Sequence, residues 1–462
     1  MILPNQAAIL CGGLGTRLRP ITDKLPKPMV PVNGVPFLEH LICQLKENGI
    51  YNFILMTGYL GDQIHKYFKD GKKWGVKIQY SQGPAEWETA RRLKKAKNLL
   101  NDFFMILYSD NFVQFNLKKL VMFYEGQKKI LCFTVQEKSN GNIRLGKNGV
   151  VELYDKTRSA DNASFVELGY MITSKKIFNY INDDNSSFSN VIAHLVLKHE
   201  VAGMVVGDAY HSISDSERWK LTEKYITPKK ILLIDRDGVI NHKAPKGEYI
   251  DSWGRFSFIE ENVQGMKSLS NSGFSFIIIS NQAGIGRKMV LEETIDKINK
   301  KMKASLEQKG IKVLDIYICP HHWEDNCFCR KPNPGLFFKA AKDWLLRLDK
   351  TVFIGDDPRD CQAAYNAGCK SLFLGREEEV TNLPEPKYYD EDLQSIKEEV
   401  EKIRSEIPVF PQWVNEVNEV PDFSWIGKTF SVIDDDFDKV NDNLRTLKDT
   451  FNQDIDHLTE TF

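Results

Sequence analysis

Several groups of residues in this 462-residue chain have the types and spacing of reacting or ligating groups. Cys319, His321, Cys327 and Cys329 lie in CPHHWEDNCFC, giving Cys-x-His, five residues, then Cys-x-Cys. Such a thiolate-rich loop can close round a tetrahedral Zn²⁺, and four protein ligands leave no open position, so the metal expected here is structural. Arg330 and Lys331 follow at once, a basic pair suited to phosphate. Asp235 and Asp237 stand two apart at the end of an apolar run in ILLIDRDGVIN. One carboxylate can attack phosphorus while the other protonates the leaving oxygen and later activates water. Near the N-terminus, LCGGLGTRLRPITDKLPKP sets Gly12, Gly13 and Gly15 directly after another apolar run. Glycines there let backbone N–H groups approach a polyphosphate, and Arg17 and Lys27 add charge where pyrophosphate must leave.

The stretch from Gly12 to Pro28 resembles the signature of the sugar-1-phosphate nucleotidyltransferases: two glycines, Gly-Thr-Arg-Leu including Thr16, then Pro-Lys-Pro. The resemblance spans roughly residues 4–225. It implies that Asp110 in ILYSD holds Mg²⁺, that Lys156 in ELYDKTR meets the sugar phosphate, and that Glu167 in FVELGYMI meets the sugar. The reaction implied is attack of a sugar-1-phosphate oxygen on the α-phosphorus of an NTP, which asks for positioning and charge neutralisation rather than a protein nucleophile. Two departures stand out. The base-selecting Gly-Thr-Ala-Gly becomes WETARRL, which keeps Thr89, and Ser212 in SISDS replaces a second metal-ligating aspartate. Asp208 or Asp215 is a nearby substitute; without one, a catalytically silent nucleotide-sugar-binding module stays open.

Asp235 and Asp237, Ser280-Asn281 after FIII, Lys331 in CRKP and Asp356-Asp357 in FIGDD occur in an order that resembles the haloacid-dehalogenase-like phosphatases, over about residues 230–375. That resemblance makes Asp235 the nucleophile and Asp237 the acid/base. Ser280, Asn281, Arg330 and Lys331 become phosphate-contacting residues. Asp235, Asp237 and Asp356 become the Mg²⁺ group. The zinc loop followed by Cys-Arg-Lys-Pro is similar to two members of that superfamily, heptose bisphosphate phosphatases and histidinol phosphatases. Only the former would leave a sugar 1-phosphate for the first domain, with GTP as the expected nucleotide donor.

The elements that must position these residues are legible in the same rows. AAILCGG, YNFILMTG, VKIQYS and FFMILYSD read as strands between amphipathic stretches such as PFLEHLICQLKENG and EWETARRLKKAKNLL. ILLIDRDGVI, GFSFIIISNQ, VLDIYICP and TVFIGDDP repeat the pattern after a short polar link at Pro228. The expected fold class is α/β: two Rossmann-like three-layer αβα domains, residues 1–226 and 230–376, then an acidic, partly helical extension over 377–462.

Composition bounds the rest. Residues 1–376 hold 54 basic and 40 acidic residues, while residues 377–462 hold 8 basic and 23 acidic. A basic body attracts anions, and without a nucleic-acid-binding motif these are expected to be phosphorylated sugars and NTPs rather than nucleic acid. No apolar run is long enough to span a bilayer, the N-terminus lacks a secretory pattern, and eight cysteines form no disulfide framework, so a cytoplasmic enzyme is expected. In the extension, LQSIKEEVEKIRSEI reads as a helix, and a stripe from Ile433 to Leu458 reads as a helix docking to a partner or a second copy.

Overall fold

The computed structural model describes residues 2–374 other than 183, 184, 208, 209 and 228. The chain divides into two compact units, Met1–Thr227 and Pro228–Phe462. Asp208 and both helices expected in the acidic extension lie outside the described residues.

The first unit is built on nine strands: β1 (Gln6–Cys11), β2 (Asn52–Thr57), β3 (Lys77–Tyr80), β4 (Phe103–Tyr108), β5 (Leu131–Glu137), β6 (Ile143–Leu145), β7 (Val151–Tyr154), β8 (Phe165–Ser174) and β9 (Val201–Val205). Their order is β7-β6-β8-β4-β1-β2-β3, with β5 joining β8 to β9. The block β4-β1-β2-β3 is parallel, as expected. Beyond it the sheet is mixed, because β8 runs antiparallel to both β4 and β5. Ala8 and Leu10 of β1, Ile54 and Met56 of β2, and Phe104 and Ile106 of β4 share one face. They pack under Ala90 and Leu93 of the helix Thr89–Lys95 and under Phe188, Ile192 and Leu195 of the helix Phe188–Leu197. Each of the larger buried side chains, the leucines, isoleucines, phenylalanines and Met56, contributes about 1.5–3 kcal/mol. The parallel arrangement brings the carboxyl ends of β1, β2 and β4 side by side, where Gly12, Gly58 and Asp110 follow.

The second unit is a wholly parallel sheet of β10 (Ile231–Ile234), β11 (Ser275–Asn281), β12 (Val313–Cys319), β13 (Val352–Gly355) and β14 (Lys370–Phe373), in the order β12-β11-β10-β13-β14. The period-two alternation of its strands sorts the core into two layers. Leu232, Ile234, Phe276 and Ile278 meet the helices Glu260–Asn271 and Glu292–Gln308 on one face. Leu233, Ile277 and Ile279 meet the helices Gly335–Trp344 and Pro358–Ala367 on the other. This is a doubly wound sheet, and its strand order reverses between β10 and β13. Ligands in such sheets bind beyond the carboxyl ends at that switch point. Asp235 follows β10 and Asp356 follows β13.

Candidate active sites

At the switch point the second unit assembles a dense set of charges. Lys331 is 2% exposed, and its Nζ lies 2.9 Å from Asp235 Oδ1 and 2.7 Å from Asp360 Oδ1, while donating to the Ile279 carbonyl at 3.0 Å. Carboxylate oxygens of Asp235, Asp356 and Asp360 fall within 4.8 Å of one another. Burial pushes Asp235 up to about 7, against the pull of Lys331. Burial likewise lifts Asp356 to about 6, opposed by Lys243, whose Nζ stands 2.6 Å from Asp356 Oδ2. Asp356 Oδ1 is buried and accepts no hydrogen bond. Three converging carboxylates with one orphaned oxygen suit a hard divalent cation such as Mg²⁺. Gly238, at φ 93°, packs directly against the cluster: a Cβ there would overlap Asp356 Oδ2.

Two expected roles change. Asp237 was expected among the metal ligands, yet the acidic trio that converges contains Asp360 in its place. Both Asp237 oxygens are held elsewhere: by the Arg236 guanidinium, 2.8 Å from Oδ2 and 2.9 Å from Oδ1, by Asn241 at 2.9 Å and by Gln282 at 2.7 Å. Burial would raise its pKa, but these donors, Arg236 foremost, lower it. Asn281, expected to touch substrate, instead clasps the backbone of Lys331: its Nδ2 donates to the Lys331 carbonyl and its Oδ1 accepts from the Lys331 N–H, both at 3.0 Å. Ser280 is buried beside the cluster and accepts from Gln282 Nε2 at 2.8 Å. Arg330 keeps a buried Nη1 with no hydrogen-bond partner, a donor available to an anion.

Asp360 was not singled out by sequence reading, although a signal existed. Asp357-Pro358-x-Asp360 is a capping box opening the helix Pro358–Ala367, in which Asp357 accepts from Arg359 N–H at 2.9 Å and Asp360 Oδ2 accepts from Asp357 N–H at 3.2 Å. The first residue of that pair is consumed by the cap and by Arg359, leaving Asp360 to face Lys331.

The loop carrying Lys331 is tied down twice. Sγ of Cys319, Cys327 and Cys329 stand 3.5–3.6 Å apart, with His321 Nδ1 3.1 Å from Cys329 and 3.7 Å from Cys319. A tetrahedron of zinc–sulfur bonds has edges of about 3.8 Å, so this donor set is nearly the size a Zn²⁺ requires. Gly286 lies against the backbone of His321 and His322 so closely that a Cβ would overlap it. His322 caps the turn Trp323–Asp325 by accepting from Glu324 N–H at 3.2 Å.

The site of the first unit is sparser. Lys27 Nζ lies 2.5 Å from Asp110 Oδ2, and the adjacent Ser109 hydroxyl donates to the Leu10 carbonyl at 2.6 Å, pinning the end of β4 to β1. Gly15 takes φ 64°, which lets its backbone turn over Lys27 and Thr22. Gly13, Thr16 and Arg17 are exposed on that turn, and Gly12 is buried beneath it. Glu167 Oε1 is buried without a hydrogen-bond partner, and burial, with Asp110 nearby, lifts this carboxyl to about 7. Lys156 is exposed and donates to Asn190 Oδ1 at 2.5 Å. Thr89, expected to contact the base, has a structural engagement: its hydroxyl accepts from the Phe188 N–H at 2.7 Å, at the start of a helix.

Ser212 pairs with Asn111, next to Asp110, and its hydroxyl meets Ser214 at 3.1 Å. Asp215 serves as a helix N-cap, accepting from Arg218 N–H at 2.9 Å and from the Ser214 hydroxyl at 3.0 Å. Among the described residues no trio of acidic, histidine or cysteine side chains gathers round Asp110.

Residues 6–220 match the family model described as nucleotidyl transferase, and residues 328–395 match one described as HAD-hydrolase-like. The chain therefore joins a nucleotidyltransferase domain to a HAD-type phosphatase domain. The D-glycero-alpha-D-manno-heptose-1,7-bisphosphate 7-phosphatase of Photorhabdus laumondii is 32% identical over 162 residues, 34% of this chain and 87% of that protein. The histidine biosynthesis bifunctional protein HisB of Campylobacter jejuni is 36% identical over 147 residues, 32% of this chain but 42% of that protein. The solved structure of HddC from Yersinia pseudotuberculosis is 23% identical and covers 47% of this chain and 96% of that one, with a TM-score of 0.41. The chain belongs to the D-glycero-D-manno-heptose-1,7-bisphosphate 7-phosphatase family.

Proposed function

We propose that this chain carries out two consecutive steps of nucleotide-activated heptose synthesis: removal of the 7-phosphate from heptose 1,7-bisphosphate, then transfer of GMP from GTP to heptose 1-phosphate. The observation that carries the reading is the joining, in one chain, of the Asp235–Lys331–Asp360 cluster to a domain with a nucleotidyl-transfer loop. A phosphatase that spares the 1-phosphate supplies what the other domain consumes, and histidinol phosphate would supply nothing to it. A cytoplasmic setting belongs to the same reading; among the described residues no helix is long and apolar enough to cross a membrane.

In the phosphatase, Asp235 attacks the phosphorus of the C7 phosphate and the ester oxygen leaves with a proton from Asp237, which must first loosen from the Arg236 and Gln282 donors that favour its ionised form. The deprotonated Asp237 then draws a proton from the water that releases phosphate from Asp235. Lys331 and Ser280 steady the transferring group, and Arg330 offers its unpaired donor to the substrate's other phosphate. Mg²⁺ held by Asp235, Asp356 and Asp360 would supply charge neutralisation between an anionic nucleophile and an anionic ester. A structural Zn²⁺ on Cys319, His321, Cys327 and Cys329 would fix the loop that presents Arg330 and Lys331. In the transferase, Gly12, Gly13, Gly15 and Thr16 cradle the triphosphate, and Arg17 and Lys27 neutralise the departing pyrophosphate. Glu167 accepts hydrogen bonds from sugar hydroxyls, and Asp110 would hold the second Mg²⁺ site.

The test supplies α- and β-heptose 1,7-bisphosphate with each NTP and follows phosphate and pyrophosphate separately in wild type, Asp235→Asn and Asp110→Ala. Phosphate release from C7 by Asp235→Asn would overturn the phosphatase assignment. A second reading, a phosphatase regulated by a silent nucleotide-sugar-binding domain, is favoured by Ser212 and by the capping engagement of Asp215. It requires that no NTP yield pyrophosphate.

A further inference from the structure

Arg92 is 3% exposed, and each of its hydrogen-bond acceptors is a backbone carbonyl. Its Nη1 donates to Thr57 at 2.8 Å, and its Nη2 reaches Pro84 at 2.7 Å, Ala85 at 3.2 Å and Gly12 at 3.3 Å. These carbonyls come from three separate backbone segments: the turn after β1, the end of β2 and the loop before the helix Thr89–Lys95. A Cβ on either Gly12 or Gly58 would overlap the guanidinium, so both positions accept only glycine while Arg92 stays in place. The neighbouring Arg91 turns the other way and lies 4.5 Å over the Trp87 ring. Of two adjacent arginines, one stacks outside and one is driven beneath the glycine loop.

Burying a guanidinium costs several kcal/mol, and carbonyl dipoles satisfy its N–H groups without cancelling its charge. Glu88 and Glu86 act on it only at longer range, without a hydrogen bond, so a cation beneath Gly12 still favours an anion on the open side of that loop, where a polyphosphate would lie. We propose that Arg92 is a positioning residue for the nucleoside triphosphate: it bolts the three segments into one cradle and lends its charge to the phosphates above Gly12. The inference rests on reading the first unit as an active nucleotidyltransferase.

Full-length wild type, Arg92→Met and Arg92→Lys are titrated with GTP and Mg²⁺ by calorimetry and assayed for pyrophosphate formation. Arg92→Met is expected to weaken GTP binding and raise the GTP KM by about tenfold or more, while the KM for the sugar 1-phosphate moves less than about twofold. Arg92→Lys recovers part of the loss, since it returns the charge but not the fork of donors. Circular dichroism reports folding of each variant. Equal or tighter GTP binding by folded Arg92→Met overturns the proposal; tighter binding would mark the side chain as a plug. Should Arg92→Met not fold, hydrogen exchange on wild type decides. GTP must slow exchange together at residues 12–16, 57–60 and 83–88, and protection confined to 12–16 overturns the proposal. Wild type that binds no GTP removes the transferase reading itself, and the proposal with it.

Discussion

The two sites solve the problem of handling phosphate in opposite ways. In the second unit most charges are buried and matched before any substrate arrives: Lys331 lies between two aspartates, and Arg236 and Gln282 hold Asp237, while Asp356 Oδ1 and Arg330 Nη1 stay open. In the first unit Lys27 meets Asp110, Glu167 has a free buried oxygen, and Arg17 is exposed. The difference follows from the reactions. A covalent phosphoryl transfer needs a nucleophile held in one geometry before substrate arrives. Nucleotidyl transfer between two anionic substrates needs neutralisation that the substrates themselves help to organise.

That contrast can be broken most sharply by Asp235→Asn, which should lower phosphate release at least ~10³-fold while leaving pyrophosphate formation unchanged in the same preparation. The mirror experiment, Asp110→Ala, should cost pyrophosphate formation roughly 10²- to 10³-fold and spare phosphate release; a loss in both assays would mean that the two units do not work independently. Asp360→Asn removes one of the two carboxylates on Lys331 and one of the trio. Phosphate release should fall on the order of 10²-fold, with weaker Mg²⁺ binding measurable by titration. Cys327→Ser should lose bound zinc by metal analysis and lower phosphate release about 10- to 100-fold, again without touching the transferase.

The smallest effect concerns pH. Glu167 is lifted from 4.5 to about 7 by burial, so between those values the folded state holds a proton that the unfolded state has released. Stability of the first unit should therefore fall as pH rises through that window. Glu167→Gln, which keeps the shape and removes the titration, should raise the melting temperature at pH 8 by a few degrees and change it little at pH 5. A uniform shift at both pH values would show that the carboxyl is not the cause.

Where candidate residues are close in sequence, their juxtaposition was legible in the chain. Cys319, His321, Cys327 and Cys329 span eleven positions, and the strand ends bearing Asp235, Ser280 and Asp356 announce themselves by apolar runs followed by polar residues. Asp360 was hidden because both aspartates join the helix cap, and nothing in the local sequence tells that Asp360 alone keeps an oxygen turned to Lys331. Asn281 and Thr89 were assigned to substrate because their neighbours suggested it, whereas each spends its hydrogen bonds on backbone from distant segments, Lys331 and Phe188. Arg92 sits in ARRLKKAK, where nothing local tells a buried cation from a solvated one. The antiparallel strand β8 carries Glu167 to the end of β4, a juxtaposition set by topology rather than by any pattern near Glu167.

The paired hydrogen bonds between Asn281 and the backbone of Lys331 have an entropic meaning. A lysine side chain is ordinarily among the most mobile, and freezing it on substrate binding would cost up to about 2 kcal/mol in lost rotamers. Here the main chain is clamped on one side and the ammonium is held by the Ile279 carbonyl and two carboxylates on the other. The ordering is completed when the chain folds, so a phosphate bound as proposed would meet a lysine that has no freedom left to lose.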